Sequence, residues 1–174
     1  MTAVEHEVAF APGLLEWLDE HEVRYEVIDG MLVVSPPPTI PHERLVMRVI
    51  IALHEAAVAG TEVFSSGVKV FYRGAWHVYP DVSVVRVRDA DLEEDGMHVP
   101  PLLVVEVLSP STRRKDLLLK REIYAEFGIP SYWLLDPPIR TLTVLTLCDG
   151  AYVETARGSR LELDAPFPLV VDLR

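Results

Sequence analysis

The sequence predicts one mixed α/β domain, an α+β arrangement around a mixed sheet, spanning residues 1–174. Three observations carry that prediction. The run LLVVEVL at 102–108 is apolar on both alternating faces except at Glu106, the pattern of a central strand covered from both sides. A segment of helical period follows it. After that come strand-like segments around an Asp149-Gly150 pair. At 174 residues, 49% hydrophobic and 25% charged, the chain is long enough for one real core and too apolar for disorder.

Each element can be justified in order. GLLEWLDEH at 13–21 puts Leu14, Leu15 and Leu18 on one side of a short amphipathic helix. YEVIDGMLVVS at 25–35 reads as a hairpin because Asp29-Gly30 tolerates the positive φ of a two-residue turn. PPPTIP at 36–41 is expected to be non-helical. From about His42 to Ala59, Leu45, Val46, Val49, Leu53 and Ala56 recur at helical spacing until Gly60. VFSSGVKVFY and AWHVYPDVSVVRV are expected as two strands joined at Arg73-Gly74. Beyond the acidic loop DADLEED at 89–95, Pro100-Pro101 leads into the central strand, and the SPS loop opens a helix from about Thr112 to Phe127 that Gly128 and Pro130 stop. SYWLLDP is a further strand, and TLTVLTL and AYVET form a C-terminal hairpin. No repeat, low-complexity tract or linker divides the chain.

Charge and composition remove whole classes of function. A formal net charge of −11 argues against a non-specific nucleic-acid binder, which neutralises phosphates with clustered Lys and Arg. The distribution is uneven, however. Acids crowd residues 1–30, among them Glu5, Glu7, Glu16 and Asp19, whereas Arg113, Arg114, Lys115, Lys120 and Arg121 lie close together. That basic cluster suits either a phosphate or a solvated helix end. No apolar stretch reaches the roughly 18 residues of a membrane span, and MTAVEHEVAFAPG lacks the basic start and apolar centre of a signal peptide, so a cytoplasmic protein without membrane contact is expected. The single Cys148 leaves no internal disulfide and no cysteine-based zinc site.

Three charges in apolar settings point to chemistry. At 100° per residue, Lys120 falls near the middle of the face formed by Asp116, Ile123, Tyr124 and Phe127, while Leu118, Arg121, Glu122 and Ala125 lie opposite. Isolating a buried ammonium or carboxylate costs several kcal/mol, so Lys120 and Glu106 need partners: each other, a metal or a polar cleft. A plain ion pair pinning helix to sheet satisfies the same requirement. Asp81 adds weight to chemistry, because after Pro80 it opens the strand DVSVVRV, where its side chain can point past the sheet end. Two carboxylates and a lysine suit Mg²⁺ chemistry at a phosphodiester: hard oxygens hold the ion, the ion lowers the pKa of a bound water, and an ammonium stabilises developing charge.

Pro80-Asp81, Glu106-Val107-Leu108-Ser109-Pro110-Ser111-Thr112, Asp116, Lys120, Tyr124, Gly128-Ile129-Pro130 and Tyr132-Trp133 together resemble the Uma2 family of restriction-endonuclease-like proteins, a branch of the PD-(D/E)XK nuclease superfamily. The resemblance also takes in Tyr25-Glu26, Asp29-Gly30, the prolines before His42 and the C-terminal hairpin. It implies a restriction-endonuclease-like core, a central mixed sheet flanked by helices, with an extra N-terminal helix and hairpin. It further implies Asp81 and Glu106 as metal-binding carboxylates for Mg²⁺, with Mn²⁺ as substitute. The superfamily pattern has lysine two residues after the glutamate, where this chain has Leu108. Lys120, arriving from the helix, is similar to a migrated form of that lysine.

Further positions carry two readings each. His42 lies on the apolar face of its helix, as a hydrogen-bonded core residue or as a catalytic one at a family position. Glu26 either orients His42 or a metal-bound water, or pairs on a sheet. Glu43 favours the helix dipole, and Asp116, one turn before Lys120, can hold the ammonium by i,i+4 pairing. Ser109 and Ser111 lack a neighbouring histidine and a glycine elbow, and read as loop and cap residues. His21, His54, His77 and His98 show no ligand spacing. The expected function is therefore a Mg²⁺-dependent endonuclease, with DNA as the substrate, Asp81, Glu106 and Lys120 catalytic and Glu26, His42 and Asp116 supporting. The alternative is a retired nuclease fold serving as an oligomerising or partner-binding module. A homodimer is expected because cutting two strands takes two active sites.

Overall fold

The computed structural model describes residues 11, 13–87, 92–93 (as backbone) and 95–174. The acidic residues Glu5 and Glu7, the segment before residue 11, and Asp89, Asp91 and Glu94 of the acidic loop lie outside the described residues. Helix α1 (Leu14–Glu20) leads into a hairpin of β1 (Tyr25–Ile28) and β2 (Met31–Val34). Its turn residues Asp29 and Gly30 have φ of 48° and 76°, both left-handed as the two-residue turn demands. Leu18, Tyr25, Val27 and Trp76 form a small core of their own beneath this unit.

Helix α2 (Ile40–Ala56) starts two residues earlier than the sequence predicts and stops three residues sooner. Pro41 is compatible with the first turn, where an amide has no intrahelical acceptor to lose, so PPPTIP is not wholly non-helical. The predicted stripe Leu45, Val46, Val49 and Leu53 is buried, each residue contributing on the order of 1.5–3 kcal/mol of apolar transfer.

Where the sequence predicts two strands, four form: β3 (Thr61–Ser65), β4 (Val70–Arg73), β5 (Trp76–Val78) and β6 (Val82–Arg86). Ser66-Gly67 and Tyr79-Pro80 interrupt the runs, because proline donates no ladder hydrogen bond. β4 and β5 leave the main sheet and join β7 (Leu92–Glu93) and β8 (Gly96–Met97) in the order β5-β4-β8-β7. Gly96 is required there: a Cβ would sit 2.6 Å from the Lys69 carbonyl oxygen.

The central strand β9 (Leu103–Val107) is followed by a π turn (Lys115–Leu119), α3 (Lys120–Glu126), β10 (Ser131–Asp136), β11 (Thr141–Cys148) and β12 (Ala151–Gly158). The helix predicted from about Thr112 to Phe127 thus begins at Arg113 and carries a π turn inside it. The main sheet runs β12-β11-β10-β9-β6-β3, with β9 and β10 parallel and the other pairs antiparallel. A parallel pair needs a crossover, and α3 supplies it. Leu103, Val105 and Val107 join the α2 residues on one face, whereas Val104 and Leu108 join Ile123 and Tyr124 of α3 on the other. This is the mixed sheet between helices that the sequence predicts. The hairpin of β13 (Arg160–Leu163) and β14 (Leu169–Asp172), which no sequence pattern marks, covers the α2 side through Leu169, Val171 and Leu173. Among the described residues no helix is long and apolar enough to cross a membrane.

Candidate active site

Glu106 points from β9 toward α3 and is 3% exposed. Lys120, at the start of α3 and 2% exposed, brings its Nζ to 2.7 Å from Glu106 Oε1. The Tyr124 hydroxyl, one turn on, donates to the same oxygen at 2.6 Å. Glu106 and Leu108 share a face of β9, Leu108 packs with Ile123, and the Lys120 amine enters from the helix covering that face.

Asp81 precedes β6, and its backbone N–H donates to the Val105 carbonyl at 3.1 Å. Its Oδ2 accepts from the Val107 N–H at 2.7 Å and lies 3.1 Å from His42 Nε2. His42 thus reaches over from the first turn of α2, with Nδ1 3.3 Å from Glu43 Oε1. Glu26 of β1 comes from outside the main sheet. Its Oε1 accepts from the Tyr79 N–H at 3.0 Å and lies 2.8 Å from Lys120 Nζ, while Oε2 accepts from Lys115. Glu26 therefore binds lysines and does not orient His42. Asp116 Oδ1 stands 4.0 Å from Lys120 Nζ, and among the described residues it is the buried side-chain oxygen or nitrogen that lacks a hydrogen-bond partner. Glu26, His42, Asp81, Glu106, Lys115 and Lys120 all line one cavity of about 690 Å³, as does Asp116.

Four carboxylates around two ammoniums leave the cluster short of positive charge. Burial pushes the Glu106 carboxyl up to about 8, and repulsion from Asp116, Asp81 and Glu26 reinforces it against the pull of Lys120. Burial acts on Glu26 in the same direction, yet Lys120 and Lys115 outweigh it and hold that carboxyl at about 2. Asp116 is raised, chiefly by burial. Burial disfavours the Lys120 ammonium, but the negative field of Glu106, Glu26 and Asp116 prevails and its pKa rises, so the amine stays charged. For His42 burial lowers the pKa, and the hydrogen bonds and charges of Asp81 and Glu43 more than reverse that.

The basic cluster of the sequence is mostly engaged internally. Arg113 pairs with Asp136 at 2.8 Å, Arg121 donates to the Tyr152 carbonyl at 2.7 Å, and Lys115 and Lys120 hold Glu26. Ser109 Oγ accepts from the Thr112 N–H at 3.2 Å, in keeping with a loop role. Sequence reasoning placed Lys115 in a basic cluster suited to a phosphate but did not bring it to Glu26 beside Lys120, because helical spacing sets it away from Lys120. It named Tyr124 without a contact, though its place one turn after Lys120 was the available signal.

Among the described residues no group of three or more His, Cys, Asp and Glu side chains forms a cage for an ion. A small hard cation does not need one, since it binds through one or two carboxylates and keeps several waters. The oxygen donors of Asp81 and Glu106 and the orphaned Asp116 Oδ1 fit such a hydrated hard ion.

The comparisons with known proteins agree with this fold. The family model of Uma2, described as "Putative restriction endonuclease", matches residues 11–174. The chain belongs to the Uma2 family. A crystal structure of a putative nuclease of the DUF820 group from Anabaena variabilis ATCC 29413 superposes with a TM-score of 0.68 at 19% identity, covering 83% of each chain. That likeness gives the Uma2 chain the same fold as the Anabaena protein. A search among curated proteins finds no match.

Proposed function

We propose that this Uma2 chain is a Mg²⁺-dependent endonuclease that hydrolyses a phosphodiester bond of DNA by in-line attack of water. The observation that carries the proposal is Lys120: its Nζ lies 2.7 Å from Glu106 Oε1 and 2.8 Å from Glu26 Oε1, beside the cavity onto which Asp81 also opens. Asp81 and Glu106 would hold the ion, and when bound it supplies a water of lowered pKa and neutralises charge on the phosphate.

The chain's own groups do the rest. The Val107 N–H and His42 fix the Asp81 carboxylate, so that its geometry does not depend on a bound ligand. Lys120 keeps its proton and acts as a hydrogen-bond donor and fixed charge, not as a base. Before an ion binds, burial raises the Glu106 carboxyl to about 8, and Asp81 and Glu43 raise His42 above 6.5, so both groups can exchange a proton near neutral pH. His42, sharing Asp81 Oδ2, carries positive charge to the cavity wall when protonated. A homodimer would let two such sites address two strands.

The test is cleavage of plasmid and oligonucleotide DNA with Mg²⁺, Mn²⁺ or chelator. Cutting that needs the metal and disappears in Asp81→Asn and Lys120→Ala is expected. Background cutting that is the same in the wild type and Asp81→Asn overturns the proposal. One observation favours the second reading, a retired nuclease fold used as a binding module: Glu106 Oε1 is already engaged by both Lys120 and Tyr124. Calorimetric titration separates the two, since absence of Mg²⁺ and Mn²⁺ binding at millimolar concentration favours the module.

A further inference from the structure

The π turn at Lys115–Leu119 is the irregularity closest to the cavity. In it the Lys120 N–H donates to the Lys115 carbonyl, an i→i+5 bond in place of the usual i→i+4. The consequence is geometric. At 100° per residue, positions five apart in an α-helix point about 140° apart. An i→i+5 bond instead brings residue 120 nearly above residue 115, as i→i+4 does in an α-helix. Lys115 and Lys120 consequently project to one side, and each takes a different oxygen of Glu26. Single π turns inside helices recur at functional sites. This one is pinned from below, because the Tyr132 hydroxyl donates to the Asp116 carbonyl at 2.9 Å.

The two lysines differ in access. Lys120 is enclosed by Glu106, Glu26 and Asp116, with a side chain 2% exposed. Lys115 is 13% exposed at its side chain, lines the cavity, and donates to Ser35 Oγ at 3.3 Å on the segment that leads into Pro36-Pro37-Pro38. Its ammonium has three donors, and the contacts to Glu26 and Ser35 use two. The acidic surplus of the chain makes a pre-oriented cation at the cavity wall valuable to an anionic ligand. Of the other basic side chains on the same segment, Arg113 is held by Asp136 and Arg121 by the Tyr152 carbonyl, and Arg114 is exposed and does not line the cavity.

We propose that Lys115 is a substrate-binding residue: the π turn places its ammonium to contact a backbone phosphate of a nucleic-acid strand next to the one being cleaved. Glu26 then serves as a positioning residue that fixes Lys115 and Lys120 at a set spacing, one for the neighbouring phosphate and one for the reacting centre. The inference rests on the nuclease reading for the meaning of the reacting centre, while the phosphate contact itself stands or falls on binding alone.

The experiment measures binding of a fluorescein-labelled oligodeoxynucleotide by anisotropy, without divalent metal and across a salt series. Wild type, Lys115→Ala, Lys115→Arg and the distant control Arg157→Ala are compared. Loss of one phosphate contact lowers the slope of log K against log salt by about 0.7–0.9. Lys115→Ala is expected to weaken binding about tenfold at low salt with that fall in slope, Lys115→Arg to retain most of both, and Arg157→Ala to change neither. Lys115→Ala with unchanged affinity and slope overturns the inference and leaves Lys115 a strut for Glu26; so does a wild type that binds no oligonucleotide. Thermal unfolding of each variant identifies a folding defect, and Lys115→Arg, which keeps the ion pair, then decides through its slope. Cleavage by the wild type separates the claims: DNA cut but Lys115 indifferent sinks only this inference, and DNA bound through Lys115 but never cut sinks only the nuclease reading.

Discussion

Replacing Lys120 with methionine removes the one ammonium that three buried carboxylates share. Glu106 would lose its partner at 2.7 Å, Glu26 one of two ammonium contacts, and Asp116 its neighbour at 4.0 Å. Breaking a buried ion pair from one side costs about 3–5 kcal/mol, because the remaining charge stays buried without compensation. Glu106 has an escape, however. Its carboxyl sits at about 8 in the folded protein against an ordinary 4.5 when solvated, so between those values the native state binds a proton that the unfolded state releases. Stability from this group is therefore present at low pH and falls as pH rises from 4.5 to 8, by up to about 1.4 kcal/mol per pH unit. Without Lys120 the carboxyl titrates higher still. At about pH 6 Glu106 is neutral, and Lys120→Met costs on the order of 1–3 kcal/mol for the lost hydrogen bonds. At about pH 9 Glu106 is ionised beside Lys120 in the wild type but still resists ionisation without it, so the cost rises toward about 3–5 kcal/mol.

Urea unfolding followed by tryptophan fluorescence at both pH values measures the difference. The double variant Lys120→Met, Glu106→Gln removes both charges, and replacing a whole buried pair is commonly near neutral, so it should regain most of the stability lost at high pH. It should not regain DNA cleavage. A single variant that loses less than about 1 kcal/mol at high pH, or a double variant no more stable than the single, would refute the electrostatic account of this cluster.

Three other outcomes follow from the same geometry. Glu26 is held at about 2, so its contribution is complete above pH 4.5 and is lost as pH falls toward 2; Glu26→Gln should flatten that acid limb, by about 2.4 kcal/mol in unfolding free energies from urea titrations compared between about pH 5 and 2.5. His42 is raised above 6.5, so its contribution is full below that pH and disappears as pH climbs through the folded value; Asp81→Asn should lower the His42 pKa in an NMR titration, and no change would mean that Asp81 is not its anchor. Gly96→Ala forces a Cβ to within 2.6 Å of the Lys69 carbonyl at φ +149°, and should cost about 1–3 kcal/mol. Gly74→Ala, where a Cβ meets nothing within 4 Å, should lower the melting temperature less.

The part of this site legible in the sequence is the part where burial conflicts with charge. Glu106 interrupts a strand apolar on both faces and Lys120 interrupts a helix stripe, and the cost of leaving either alone requires them to meet, as they do at 2.7 Å. The two Asp-Gly turns are legible for an equally local reason, since both residues of each adopt positive φ. The meeting of Lys115 and Lys120 at Glu26 is not legible, although the basic cluster holding both is, because it depends on an i→i+5 bond, and one such bond inside a helix leaves no compositional trace. Nor is the separation of β4 and β5 into a sheet of their own, since strands of four and three residues carry too little alternation to specify a partner. The prolines at 166 and 168 likewise mask β14.

What local pattern hides most completely is the origin of Glu26. Its hairpin pairs with no strand of the main sheet; it packs on a small core of Leu18, Tyr25, Val27 and Trp76 and reaches the core beneath α3 through Ile28. Yet Glu26 supplies the second carboxylate for Lys120, binds Lys115, and is fixed by the Tyr79 N–H just ahead of Pro80-Asp81. One acidic side chain therefore ties the docking of a peripheral unit to the geometry of both lysines and to the entry of the strand bearing Asp81. Leu18→Ala, which loosens the small core, should therefore shift the Lys115 and Lys120 side-chain NMR signals by moving their shared acceptor, and unchanged signals would refute the coupling.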